Sequence, residues 1–127
     1  MPTPESLRRL VERYCDAVTS RDVAAIVALF TENAVQADPA NTPPNVGHEA
    51  IGAFFQRAVD ASSATTFRAL AVHTCGHQAA VHFQVTVTLD GGQMVISGIE
   101  VFTVTDDERI SAVTAYWDDA DVTFSAA

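Results

Sequence analysis

The sequence is poor in positive charge. Seven arginines and no lysine stand against sixteen acids, for a net charge of −9 over 127 residues. Phosphate binding needs clustered cations, and the one adjacent basic pair is Arg8-Arg9, so nucleic acid is excluded as a partner. An anionic membrane surface is disfavoured for the same reason. Cysteine is scarce too. Cys15 and Cys75 form no CxxC pair and are too few for a disulfide scaffold. Cys15 falls inside a helical pattern, where a reduced thiol is expected. No apolar run approaches the length that crosses a bilayer, and the opening "MPTPESLRR" lacks an apolar leader core. The expectation is a soluble, cytoplasmic protein with no membrane partner. There is no glycine-rich phosphate loop, no internal repeat and no linker. "ISG" around Ser97 is not a nucleophile elbow.

What is present is a large apolar fraction, 48% of residues. A chain of this length reads as one domain, residues 1–127, that can bury about two thirds of its unfolded surface. Thr3 is a plausible N-cap, Pro4 a good first helical residue, and Leu7, Leu10, Val11, Tyr14, Ala17 and Val18 recur at helical spacing. A short helix over Val23–Phe30 and a short strand over Ala34–Ala37 follow. After a proline-rich loop, a third helix is expected at about His48–Ala61, with Ile51, Phe54, Phe55, Ala58 and Val59 inward. The period then switches to two. Strands are expected over Thr65–Val72, Val81–Leu89, Gln93–Thr105 and Arg109–Trp117, with turns at Asp90–Gly92 and "TDDE". Helices first and an antiparallel meander afterwards give an α+β fold: three N-terminal helices on one face of a curved, mostly antiparallel sheet, enclosing an apolar pocket.

Three residues fit their surroundings badly, and such residues are informative. Asp38 ends a short apolar run and is followed at once by Pro39. It is either a turn acid or a rigid carboxylate aimed into a cavity. Glu100 sits mid-strand in "ISGIEVFTV", on a face shared with Ile96, Gly98, Phe102 and Val104. It either marks an irregular edge facing water or is desolvated, which raises a carboxyl's pKa and leaves it a neutral donor. Tyr14 lies on a buried helix stripe, where a tyrosine is commonly a core residue with its hydroxyl on a carbonyl. The histidines offer another chemistry. "HTCGH" puts His73, Cys75 and His77 at alternate positions, with His82 nearby. Gly76 and the residues after it read as a turn, no second tight ligand pair exists, and no metal is expected.

Taken together these residues resemble the Δ5-3-ketosteroid isomerases, whose cone-shaped fold is shared with nuclear transport factor 2. The resemblance runs from "TPE" at Thr3 to about Asp118. It is carried by "RY" ending at Tyr14, "IVALF" at Ile26–Phe30, Asp38-Pro39, Gly47, Ala50, Ile51 and Phe54, and "IEVF" at Ile99–Phe102. It implies a cofactor-free and metal-free isomerase. Asp38 matches the family's general base. Tyr14 matches the hydroxyl that binds the substrate's ketone oxygen. Glu100 falls where a protonated Asp is usual, the second donor of a small oxyanion hole. One ionised and one neutral carboxyl at the same pH is the known pKa pattern of this family. Phe54, Phe83, Val85 and Trp117 match pocket-lining positions, with Phe54 and Trp117 flanking the base. A steroid-like substrate and a homodimer joined by the sheet's outer face are implied.

Two departures carry consequences. Glu in place of Asp at position 100 adds about 1.5 Å of reach, and a misplacement of about 1 Å can cost a hundredfold in rate. Phe30 and Phe55 stand where some members have tyrosines supporting the oxyanion hydroxyl. The cone fold hosts other activities, so a polyketide cyclase, dehydratase or epoxide hydrolase and a non-catalytic binder of an apolar ligand stay open. An epoxide hydrolase would want an Asp-Arg-Asp water clamp, and the apolar strand faces offer no arginine. A dehydratase would want a cavity-facing histidine, and His82 alternates with Phe83.

Overall fold

The computed structural model describes residues 1–126. Helix α1 spans Pro4–Thr19. The Thr3 hydroxyl accepts from the Ser6 amide and the Ser6 hydroxyl accepts from the Thr3 amide, so two donors at the helix start are satisfied. Its stripe of Leu7, Leu10, Val11 and Tyr14 is buried, and the helix packs on the sheet at the strand Ala64–Cys75. Helix α2 is only Val23–Val27, capped by Asp22. The helix expected to reach Phe30 thus stops three residues short. Phe30 instead opens strand β1, Phe30–Ala37, where it pairs with Ile110 and is fully buried. Local spacing favoured helix, but a tertiary pairing absent from the local pattern took Phe30. β1 begins four residues earlier than expected for the same reason.

Strand β2, Asn45–Val46, leads into α3, Gly47–Asp60. The long strands are β3 Ala64–Cys75, β4 Gln78–Leu89, β5 Gly92–Val104 and β6 Ile110–Tyr116. β3 and β4 each run about three residues further than the sequence pattern suggested, because they zip together as far as the turn at Gly76. A 3-10 turn at Asp119–Asp121 and a last strand, β7 at Val122–Ala126, complete the described chain. That strand is not legible in the sequence.

The sheet order is β2-β1-β6-β5-β4-β3, with β7 also on β5. β3 to β6 form the expected antiparallel meander, whereas β1 joins β6 in parallel, so the sheet is mixed. β5 changes partner along its length: Ile99–Val104 pairs with β6 and Gly92–Ile96 with β7. This fork opens one end of the curved sheet. The helices close over its concave face. Arg21, in the left-handed region at φ 59°, donates to the Val59 and Ser62 carbonyls and to the Ser62 hydroxyl, fixing the end of α3.

Candidate active site

The concave face holds a cavity of about 400 Å³, within the range of small-molecule sites. Tyr14, Asp38, Glu100, Phe54, Phe83, Val85 and Trp117 all line it. They come from α1, the end of β1, β5, α3, β4 and the end of β6, far apart in sequence and adjacent only through the sheet.

Tyr14 is 2% exposed. Four phenylalanine rings meet it edge-on, Phe102 at 5.1 Å, Phe67 at 5.4 Å, and Phe30 and Phe55 at 6.4 Å. The two positions noted for lacking tyrosine are therefore apolar walls of its cage. Burial raises the hydroxyl's pKa well above 10, and the acids Glu100 and Asp38 and the Cys15 thiol push it the same way as they ionise. The group is a neutral donor.

Glu100 is 2% exposed, between Val81 of β4 and Ala115 of β6. The strand is regular there, so the edge alternative for this residue does not hold. Its Oε1 is buried with no hydrogen-bond partner among the described residues. An unpartnered buried oxygen is costly unless something is meant to meet it. Burial raises its pKa well above the usual carboxylate value, and the nearby Asp38 raises it further.

Asp38 follows the last β1 pairing, Ala37 with Thr114. Its loop is tied back by the Ala40 amide to the Ala115 carbonyl at 2.7 Å, and by Thr42 bonds to the Pro39 carbonyl. The Trp117 indole N–H donates to Asp38 Oδ1 at 2.7 Å. Burial raises the Asp38 pKa, while this charge-assisted bond lowers it. Of two acids in one cavity, Glu100 is raised the further and Asp38 gives up its proton the more readily. Trp117, expected as a wall, is also the partner of the acid. The resemblance placed Trp117 beside the base; the hydrogen bond between residues 79 apart is what the structure adds.

Gly98 sets the spacing. A Cβ there would lie 2.4 Å from the Tyr116 carbonyl oxygen and 3.1 Å from Trp117 Cβ, so only glycine lets β6 and its tryptophan approach. The Trp117 backbone stands level with Gly98, while the chain at Asp38 continues from the Ala37–Thr114 pair toward Ala115, the β6 partner of Glu100. The remaining lining is apolar. Phe83 stacks on Phe67 at 5.4 Å and 9°. Val87, Leu89, Met94, Ile96 and Thr65 extend the wall outward. They were not singled out in the sequence, although they continue the alternation that gave Phe83 and Val85. His82 is exposed on the other face of β4, and no arginine among the described residues lines the cavity. His77 bonds Asp106 at the surface, and no cluster of three metal-binding side chains exists among the described residues.

Helices closing a curved sheet over such a cavity define the nuclear transport factor 2-like fold. Residues 11–113 match the model of the SnoaL-like domain, and the chain belongs to that family. A Steroid Delta-isomerase of Nocardioides simplex is 32% identical over 121 residues, covering 95% of this chain and 97% of that protein. Among solved structures, the epoxide hydrolase/cyclase-like enzyme SalBIII, studied for pyran ring formation in polyether salinomycin, superposes with a TM-score of 0.90 at 27% identity, covering 98% of this chain and all of the other. A computationally designed 17-OHP binder reaches a TM-score of 0.85 at 19% identity, covering 94% and 98%. At that identity the likeness is one of fold.

Proposed function

We propose that the protein is a cofactor-independent steroid Δ5-isomerase, converting a 3-oxo-Δ5-steroid to its conjugated Δ4 isomer. The observation that carries this reading is Glu100, a buried acid whose oxygen has no partner, facing the same apolar cavity as Asp38. The identity to a steroid isomerase over nearly the whole chain supports it.

In this mechanism the Asp38 carboxylate takes a proton from the carbon between the ketone and the double bond. The freed electron pair moves into the conjugated system and places negative charge on the ketone oxygen, giving a dienolate. Tyr14 and protonated Glu100 donate hydrogen bonds to that oxygen, and they are worth most where charge develops in a dry site. Asp38 then returns the proton two carbons further on, the ketone reforms, and the double bond has moved into conjugation. No electron or proton is left over. The donors hold the oxygen while the base reaches both the carbon beside the ketone and the one two positions further on. Phe54, Phe83 and Val85 supply apolar walls for the flat nucleus.

A homodimer fits the same reading. Val35, Ile99 and Tyr116 are exposed on the sheet's outer face, and Ile99 pairs directly with Tyr116.

The experiment is to follow the ultraviolet absorbance of the conjugated enone with a Δ5-3-ketosteroid and no added metal or cofactor. Asp38→Asn is expected to lose at least about a hundredfold in kcat, the scale of a general base, while steroid binding persists. Near-normal turnover in that variant removes Asp38 from the mechanism. A second reading, ring closure on an apolar epoxide, is favoured by the likeness to the cyclase-like enzyme. Steroid binding without isomerisation would favour a binder instead.

A further inference from the structure

The cavity runs well past its acid groups. From Glu100 to Met94 is six residues of β5, about 20 Å at the rise of a strand. Fused rings built on C–C bonds of ~1.5 Å give a steroid nucleus about 10 Å long from its ketone oxygen to ring D. With the ketone against Tyr14 and Glu100, ring D ends near the Ile96–Val85 pair. Beyond it the wall continues through Val87, Met94, Leu89 and Ala61, with Thr65 as the one hydroxyl. Phe124 carries this wall further. It is the direct β7 partner of Met94, so both side chains rise from the same face of the sheet. Its ring tip comes within 3.8 Å of where a Cβ at Gly91 would stand, at the tip of the β4–β5 hairpin. Phe124 is 57% exposed, a large ring left open beside the outer end of an apolar trough.

We propose that the outer half of the cavity, from Val87 and Met94 to Phe124, is a subsite for an aliphatic side chain on ring D. The substrate class is then a 3-ketosteroid that keeps its side chain, in preference to one with a ketone or hydroxyl at that place. The inference rests on the isomerase reading for the position of the ketone. A ring D oxygen would give up water to meet mostly methyl and methylene groups, which is unfavourable. An alkyl chain would gain, at about fourfold in affinity for each methylene removed from water.

The test compares two Δ5-3-ketosteroids, one with a ring D ketone and one with a branched aliphatic chain there. The expected result is at least a tenfold higher kcat/KM for the second, expressed in KM. Phe124→Asp should lower that ratio at least threefold by weakening the chain-bearing substrate. Trp117 is the sole tryptophan, so quenching of its fluorescence by the two conjugated products gives affinities without turnover. If neither steroid is isomerised, the isomerase reading fails, and the titration still decides the subsite. Tighter binding of the chain-bearing product upholds it. Equal affinities, a preference for the ring D ketone, or no binding of either product overturns it.

Discussion

At the scale of single residues, the site is a set of groups whose pKa values burial raises. Glu100 is raised well above its usual value by burial first and by Asp38 second. Asp38 is raised by burial and held back by Trp117. Under the proposed mechanism, activity falls on the acid side as Asp38 gains a proton and on the alkaline side as Glu100 loses one. Glu100→Gln, whose amide cannot ionise, should abolish the Glu100 limb of the kcat/KM profile and leave the acid limb. Trp117→Phe removes the bond that lowers the Asp38 pKa, so the acid limb should move to higher pH. An unmoved limb would separate Asp38 from the rate profile. Tyr14→Phe should cost about 10²–10³ in kcat, the scale of one oxyanion donor. Stability follows the same linkage. Native Glu100 keeps a proton that the unfolded chain releases above its ordinary carboxylate value. Its contribution is whole below that value and is lost as pH rises toward the raised native one. Melting curves across that window should show Glu100→Gln gaining on the parent protein as pH rises.

At the scale of elements, what positions the site is the fork of β5 between β6 and β7. Gly98 lies where the partners change. Gly98→Ala drives a Cβ to 2.4 Å from the Tyr116 carbonyl oxygen, a backbone atom that cannot swing away. The strands must separate, and a loss of about 1–3 kcal/mol is expected on the scale of overpacking. Urea denaturation measures it, and a change within error would mean that β6 yields without cost. Trp117 moves with β6, so the same variant should also shift the Asp38 acid limb. Helix α1 and the β3–β5 ladder were legible in the sequence, because amphipathic period and cap chemistry agree there. The end of α2 and the whole of β7 were not. Phe30 left the helical pattern for a parallel pairing with Ile110, and β7 exists because β5 has a free edge for it. Neither partner is local.

At the scale of the whole molecule, one face of the sheet is closed by helices and the other is open. The open face carries Val35, Ile99 and Tyr116. If it joins two copies, Tyr116→Glu should convert a dimer to a monomer in sedimentation, and a parent protein that sediments as a monomer would remove that proposal. Among the described residues no helix is long and apolar enough to cross a membrane.

The sequence by itself determined the chemistry available: a carboxyl after an apolar run, an acid on an apolar strand face and a tyrosine on a helix stripe. Alternation put Glu100 on an apolar face and left an irregular edge as the alternative, which the regular pairing with Val81 and Ala115 removed. It also limited the alternatives, through a cavity wall with no arginine and a histidine turned outward. Only the tertiary structure decided that these groups share one cavity, that Trp117 holds Asp38 and that Phe30 and Phe55 enclose Tyr14. It alone set how far the apolar wall continues beyond them. Those facts depend on strand order, on the close approach at Gly98 and on desolvation, and each arises from contacts between segments that no local pattern records.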